Sequence, residues 1–196
     1  MKQRGFKLGR RFLALVAVSL GVVTAGLFVG TTTASAKTTI TPSYAFFPSK
    51  TITYNISTSS KAYRSIWKQA VKAWSKNGTV TFKATTKKKA MMQLEAARHL
   101  NYKEPGNLYY KGDTILNQDT GETLKVFKQV DGKLDMDYLA KHKLSRTKKV
   151  ATAVRLMGFM VGLNSSNNSK SVMGGLHTSL AKVDKQGVAY AYRLVN

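Results

Sequence analysis

Tyr63-Arg-Ser-Ile-Trp-Lys-Gln-Ala-Val-Lys-Ala-Trp74 carries the clearest period in the chain. Tyr63, Ile66, Trp67, Ala70, Val71 and Trp74 recur at i, i+3, i+4, i+7, i+8 and i+11, while Lys61, Arg64, Lys68, Lys72 and Lys76 take the other face. That spacing predicts an amphipathic helix whose aromatic stripe is core rather than a ligand platform. Ser59 or Ser60 stands where a cap belongs, and Asn77-Gly78 ends the helix. On either side, Thr51-Ile-Thr-Tyr-Asn-Ile-Ser57 and Thr79-Val-Thr-Phe-Lys-Ala84 read as strands, the first with Ile52, Tyr54 and Ile56 on one face.

Working outward, Lys37 to Lys50 reads as an extended lead-in, and Lys87-Lys88-Lys89 as a solvated turn. Ala90 to Ala97 fits a strand or a short helix equally. From Tyr102 to Val130 the turn signals Pro105-Gly106, Lys111-Gly112-Asp113 and Thr120-Gly121 separate short β-rich runs, which predicts hairpins. Asp131-Gly132 reads as one more turn and Leu134 to Asp137 as a short strand. A second helix is predicted from Ser145 to about Gly162, apolar almost all round and therefore buried. A polar loop, Asn164 to Lys170, leads to Ser171-Val-Met-Gly174 and a last helix over Asp184 to Leu194. The fold class is α+β: a mixed twisted sheet, one amphipathic helix and one central buried helix.

The N-terminus predicts export. Lys2, Arg4, Lys7, Arg10 and Arg11 precede an apolar run from Phe12 to Gly30, and Ala34-Ser35-Ala36 is a small-x-small cleavage site. Residues 1–36 are thus read as a signal peptide and 37–196 as a single domain. Left uncleaved, an apolar run of that length would anchor the chain instead; no later run is long enough to span a membrane. Cleavage removes five of the 32 Lys and Arg and none of the nine acids, leaving 27 bases and a formal charge of +18. Such a charge attracts polyanions: cell-wall polymers, anionic lipid, or nucleic acid non-specifically. The chain has no Cys. An exported domain without disulfides points to a bacterial source, and thiolate chemistry is excluded.

In order and spacing the elements resemble the matrixin branch of the metzincin zinc metalloproteases. The opening Ile-Thr-Tyr-Asn-Ile strand, the Ala-Val-Lys-Ala-Trp-Ser helix and the Val-Thr-Phe strand resemble the start of that domain. Asp184-Lys-Gln-Gly-Val-Ala-Tyr-Ala-Tyr192 looks like its closing helix. The family motif H-E-x-G-H-x-x-G-x-x-H, with its Met turn, falls on Arg155-Leu-Met-Gly-Phe-Met-Val-Gly-Leu-Asn-Ser165. Gly158 and Gly162 match the motif glycines, and Met173 in Ser171-Val-Met173 matches the Met turn. Arg155, Phe159 and Ser165 stand where the three zinc-ligating histidines belong, and Leu156 where the general-base Glu belongs.

Catalytic zinc needs three neutral imidazoles or carboxylates plus a water. Phe has no lone pair, Ser is a poor neutral ligand, Arg stays protonated, and Leu takes no proton. The resemblance therefore implies a zincin-like domain with no catalytic residue, no metal and no cofactor: a secreted pseudo-metalloprotease kept as a basic extracellular or cell-surface scaffold. Its partners would be wall polyanions, or peptides in the former cleft between the sheet's edge strand and the loop after the second helix. Arg155 either reaches solvent or offers its guanidinium to a carboxylate or phosphate. Two alternatives stand beside this reading. One is a still-active zinc metallopeptidase with other ligands, and the other a cationic adhesin that binds wall polyanions by charge. For the first, His99, His142 and His177 lie at no metal-ligand spacing. Asp131, Asp135 and Asp137, the one acid cluster, suit turns and caps. Ser165 and Ser166 lack a nearby base.

Overall fold

The computed structural model describes residues 40–100, 103–116, 121 and 123–195. The predicted signal peptide lies outside the described residues. In chain order the elements are β1 (Ala45–Phe46), β2 (Thr51–Ile56), α1 (Lys61–Trp74), β3 (Thr81–Ala84), β4 (Met92–Ala97), β5 (Gly106–Leu116), β6 (Thr123–Asp135), α2 (Met136–Lys141), α3 (Arg146–Met160) and α4 (Lys182–Ala191). Strands β3, β2, β4 and β6 lie side by side and parallel. The long strand β5 runs antiparallel along the outer edge of β6. Strand β1 adds in parallel at Lys125 and Val126, ahead of the stretch of β6 that pairs with β4. A mixed, mostly parallel sheet with four helices is an α+β arrangement.

Helix α1 buries Tyr63, Ile66, Trp67, Ala70, Val71 and Trp74, the stripe its period predicts. Ser60 caps it, accepting from the Tyr63 amide at 3.5 Å. Burying an indole requires a partner for its N–H. Trp67 donates to the Glu95 carbonyl of β4 at 2.9 Å and Trp74 to the Val154 carbonyl of α3 at 2.8 Å. These two bonds fix α1 against the sheet and against α3. After α1 the buried Asn77 shapes the turn: its Oδ1 accepts from the amides of Thr79 and Val80 at 2.7 and 2.8 Å, and its amide nitrogen donates to Val80 O. Gly78 takes the left-handed conformation there, with φ +82°.

Several expected turns prove to be strand interior. Asp131-Gly132 lies inside β6, and Gly132 is required by packing: an added Cβ would come within 2.6 Å of Met160 Sδ on α3. Lys111-Gly112 is likewise a bulge within β5. There the absent Cβ leaves room for the Val126 carbonyl, which it would otherwise strike. One long hairpin of β5 and β6 therefore replaces the series of short ones. The segment read as a strand over Leu134 to Asp137 divides between the end of β6 and the start of α2. Asp135 caps that helix by accepting from the amides of Asp137 and Tyr138, both at 2.9 Å. The ambiguous run after Lys89 is strand β4, and the closing helix spans Lys182–Ala191.

The lead-in is built into the core. The Tyr44 amide donates to Gly162 O at 2.9 Å, and the Asn164 amide to Pro42 O at 2.7 Å. Phe47 is fully buried, and its amide donates to the Tyr192 hydroxyl at 3.3 Å. Burial pushes that phenol well above its ordinary pKa. At the other end of α4, the fully buried Asp184 accepts from the Thr41 hydroxyl at 2.8 Å, the Ser171 hydroxyl, the Val172 amide at 3.1 Å and the Ala181 amide at 3.0 Å. The last of these is half of a capping box on α4. Asp184→Ala removes the acceptor of four donors, three of them buried, and is expected to destabilise the fold by about 3 kcal/mol or more. Thr41→Val removes that hydroxyl's bond to Asp184 and its contact with the Ser171 hydroxyl at 3.3 Å, and should cost about 1 kcal/mol. Urea unfolding of the two variants measures both.

Candidate functional site

The buried helix α3 starts from Ser145, whose hydroxyl accepts from the Lys148 amide at 3.3 Å. Its inner residues, among them Val150, Val154, Met157 and Met160, are buried. Arg155 and Phe159, four residues apart, share one face and are both half-buried. They meet each other: the guanidinium carbon lies 5.8 Å from the centre of the Phe159 ring, a cation–π stack. Among the described residues no carboxylate lies within ion-pair reach of Arg155. Leu156 turns the other way and is buried under the start of β5, where a Cβ added to Gly106 would come within 3.2 Å of its Cδ2.

Both glycines of this stretch are fixed by close approach. Gly158 faces Met173, whose Sδ would collide with any Cβ there, and Trp74 closes the same spot at 3.0 Å. Gly162 ends the helix with φ +96° and lies against the Ala45 backbone, leaving no room for a side chain. Past this turn the chain bridges back to the lead-in, Ser43 pairing with Leu163. Ser165 is exposed, with its amide donating to Asn164 Oδ1 at 2.8 Å. Of the three positions aligned above with zinc ligands, two are in contact. No hydrogen bond or ring contact joins Ser165 to either among the described residues. A guanidinium on a phenyl ring, an exposed hydroxyl and a buried leucine do not fit a zinc ion.

A second set of chemistry-bearing residues was missed in the sequence, because it forms only when the end of β4 meets α2. His99 adopts a left-handed φ of +56° and donates its amide to Asp137 Oδ2 at 2.9 Å, with its Nδ1 3.3 Å from the same oxygen. Arg98 pairs with Asp137 Oδ1 at 2.9 Å. His142 caps the other end of α2 and lays its ring 4.1 Å from that of Tyr138. His99, Asp137, Tyr138 and His142, with Lys103 and Lys141, line an open cleft of about 510 Å³. His177 stands apart, its Nε2 2.6 Å from Ser169 O. Among the described residues, no three His, Asp or Glu side chains are grouped so as to hold a metal ion. Nor is any described helix long and apolar enough to cross a membrane.

No protein-family model matches the chain, and no curated protein matches it in sequence.

The backbone amide of His99, then the His99 and Arg98 charges, hold the Asp137 carboxyl below its ordinary value of 3.8. A carboxylate depressed on folding stabilises the fold above its unfolded pKa, and that stabilisation is lost as pH falls through the folded pKa. Asp137→Asn should therefore lower the urea midpoint at pH 7, and the gap to the parent protein should close as pH drops below 3.8. A gap independent of pH would contradict this account of the Asp137 contacts.

Proposed function

We propose that the protein is a secreted, matrixin-like pseudo-metalloprotease: a non-catalytic scaffold of zincin type, acting outside the cell as a basic binding domain. The observation that carries the reading is the Arg155–Phe159 stack. It occupies the two motif positions that lie on one helix face, where two imidazoles would have to converge on an ion. Leu156 supports it, since a buried aliphatic group in the general-base position can neither take a proton from water nor orient one.

The frame around those positions supports the family part of the reading. Met173 lies against Gly158, as a Met turn should lie against the motif helix. Gly162 supplies the left-handed turn by which the chain leaves α3. Strand β5, the antiparallel edge of the sheet, runs beside α3 with its outer edge unpaired among the described strands, which is where the former cleft would lie. A peptide there would add to the edge strand rather than be cut.

Restoring the ligands tests the frame directly. The variant Arg155→His, Leu156→Glu, Phe159→His, Ser165→His should bind zinc at one equivalent per chain, with protons released as it binds. Cobalt in place of zinc would report the donor set by its absorption. A folded variant that binds neither metal would mean that the three ligand positions do not converge, and the zincin reading would fall.

A further inference from the structure

We propose that the outer face of α1, with the groove between it and the 178–185 segment, is a docking surface for a linear polyphosphodiester with short, base-free linkers, of the poly(polyol phosphate) kind. This goes beyond the scaffold reading and stands even if the zincin assignment fails.

The starting observation is how the charges divide. Among the described residues, the acids other than Asp184 fall between Glu95 and Asp137, on β4 to β6 and the turns and short helix that join them. Asp184 is fully buried. Helices α1 and α3, which pack side by side, contain no acid at all. The exposed side of α1 is a file of cations, Lys61, Arg64, Lys68, Lys72 and Lys76, and α3 opens with Arg146, Lys148 and Lys149 beside it. The two helices are joined there by Arg146, which donates to Ser65 Oγ at 2.8 Å.

At the start of each helix this placement works against the fold, whereas Lys72 in the last turn of α1 stands where the dipole favours a cation. Cations in the first turn of α1 and of α3 oppose the helix dipole, and neither first turn holds an acid to offset them. Arg64, Lys68, Lys72 and Lys76 also stand at successive i, i+4 positions, where like charges repel. Local rules broken together on one face mark a surface kept for something other than stability.

The groove gives the charge a shape. It holds about 340 Å³ and is lined by Gln69 and Lys72 of α1 and Lys76 just after it, with Thr178, Ser179 and Lys185 also on its wall. Lys68, Lys72, Lys76 and Lys185 have no carboxylate within ion-pair distance among the described residues. Along α1 the lysines rise by about 6 Å from one to the next, a ladder of separated point charges. Ammonium groups bind phosphate as point charges without demanding a fixed orientation, and the Thr178 and Ser179 hydroxyls add hydrogen bonds. None of the lining residues is aromatic. Single-stranded nucleic acid is held by bases stacked on aromatic rings, so the groove suits a phosphate chain that carries no bases.

The test compares two variants of equal charge by titration with purified poly(glycerol phosphate) across a series of salt concentrations. One carries Lys68→Ala, Lys72→Ala, Lys76→Ala and Lys185→Ala. The other carries Lys50→Ala, Lys83→Ala, Lys88→Ala and Lys89→Ala, all exposed and none of them lining the groove. The groove variant should lose at least tenfold in affinity, and its log–log salt slope should fall by about 3, as for four phosphate contacts on a single strand. The control variant should lose less than twofold. Neither should fall below the parent's thermal midpoint, and the groove variant, relieved of its i, i+4 repulsions, should match or exceed it. Equal losses in the two variants would reduce the effect to bulk charge and overturn the site. Tighter binding of single-stranded DNA or of inorganic polyphosphate than of poly(glycerol phosphate) would overturn the choice of ligand.

Discussion

The carboxyl group of Asp184 is where the separate parts of the chain are tied together. Through Thr41 it holds the lead-in, through Ser171 and Val172 the loop that carries Met173, and through Ala181 the first turn of α4. Thr41 and Asp184 are 143 positions apart, so this bond closes a loop that spans most of the described chain. What it holds then determines the rest. The fixed loop sets Met173 against Gly158, and the fixed lead-in sets Ala45 against Gly162. Between those two contacts the register and exit of α3 are determined, and with them the face on which Arg155 and Phe159 stand.

Two kinds of charge therefore coexist with different purposes. Asp184 is buried among donors and shapes the core, as is Asp135 at the start of α2. The lysines of α1 and α3 have no acid partners among the described residues; Lys72 suits the last turn of α1 and Lys149 lies over the Tyr63 ring, while the others stand in solvent. The chain places its described acids within the β4–α2 region and in the core, and leaves two adjoining helices without any. The half-buried Arg155 belongs to neither group: its guanidinium lies against a neighbouring ring, with no carboxylate in ion-pair reach among the described residues.

The amphipathic helix was legible in full, because a 3.6-residue period over twelve residues has no competing explanation, and its six buried residues are those of the stripe. Strand β2, the Asn77-Gly78 stop and the span of α3 were legible for similar local reasons. Gly132 and Gly112 were misread as turn residues. Glycine signals both a turn and a close approach, and only the partner, Met160 in one case and the Val126 carbonyl in the other, distinguishes them. Helix α2 was missed although Asp135, Asp137 and Lys141 are cap and dipole residues in the right places, since six residues are too few to show a period. At the site, the i, i+4 spacing of Arg155 and Phe159 already implied a shared face, and the stack follows from it. The Asp137 cluster and the Asp184 clamp were not legible, since nothing in the local sequence says that His99 will meet α2 or that Thr41 will meet α4.

The account depends most on α3 presenting no metal site. Equilibrium dialysis of the purified protein against trace zinc, followed by metal analysis, measures that directly. The account predicts a folded protein with well under one equivalent of zinc. One equivalent, retained at neutral pH and lost to a chelator, would contradict it and return a metal-dependent hydrolase as the leading reading.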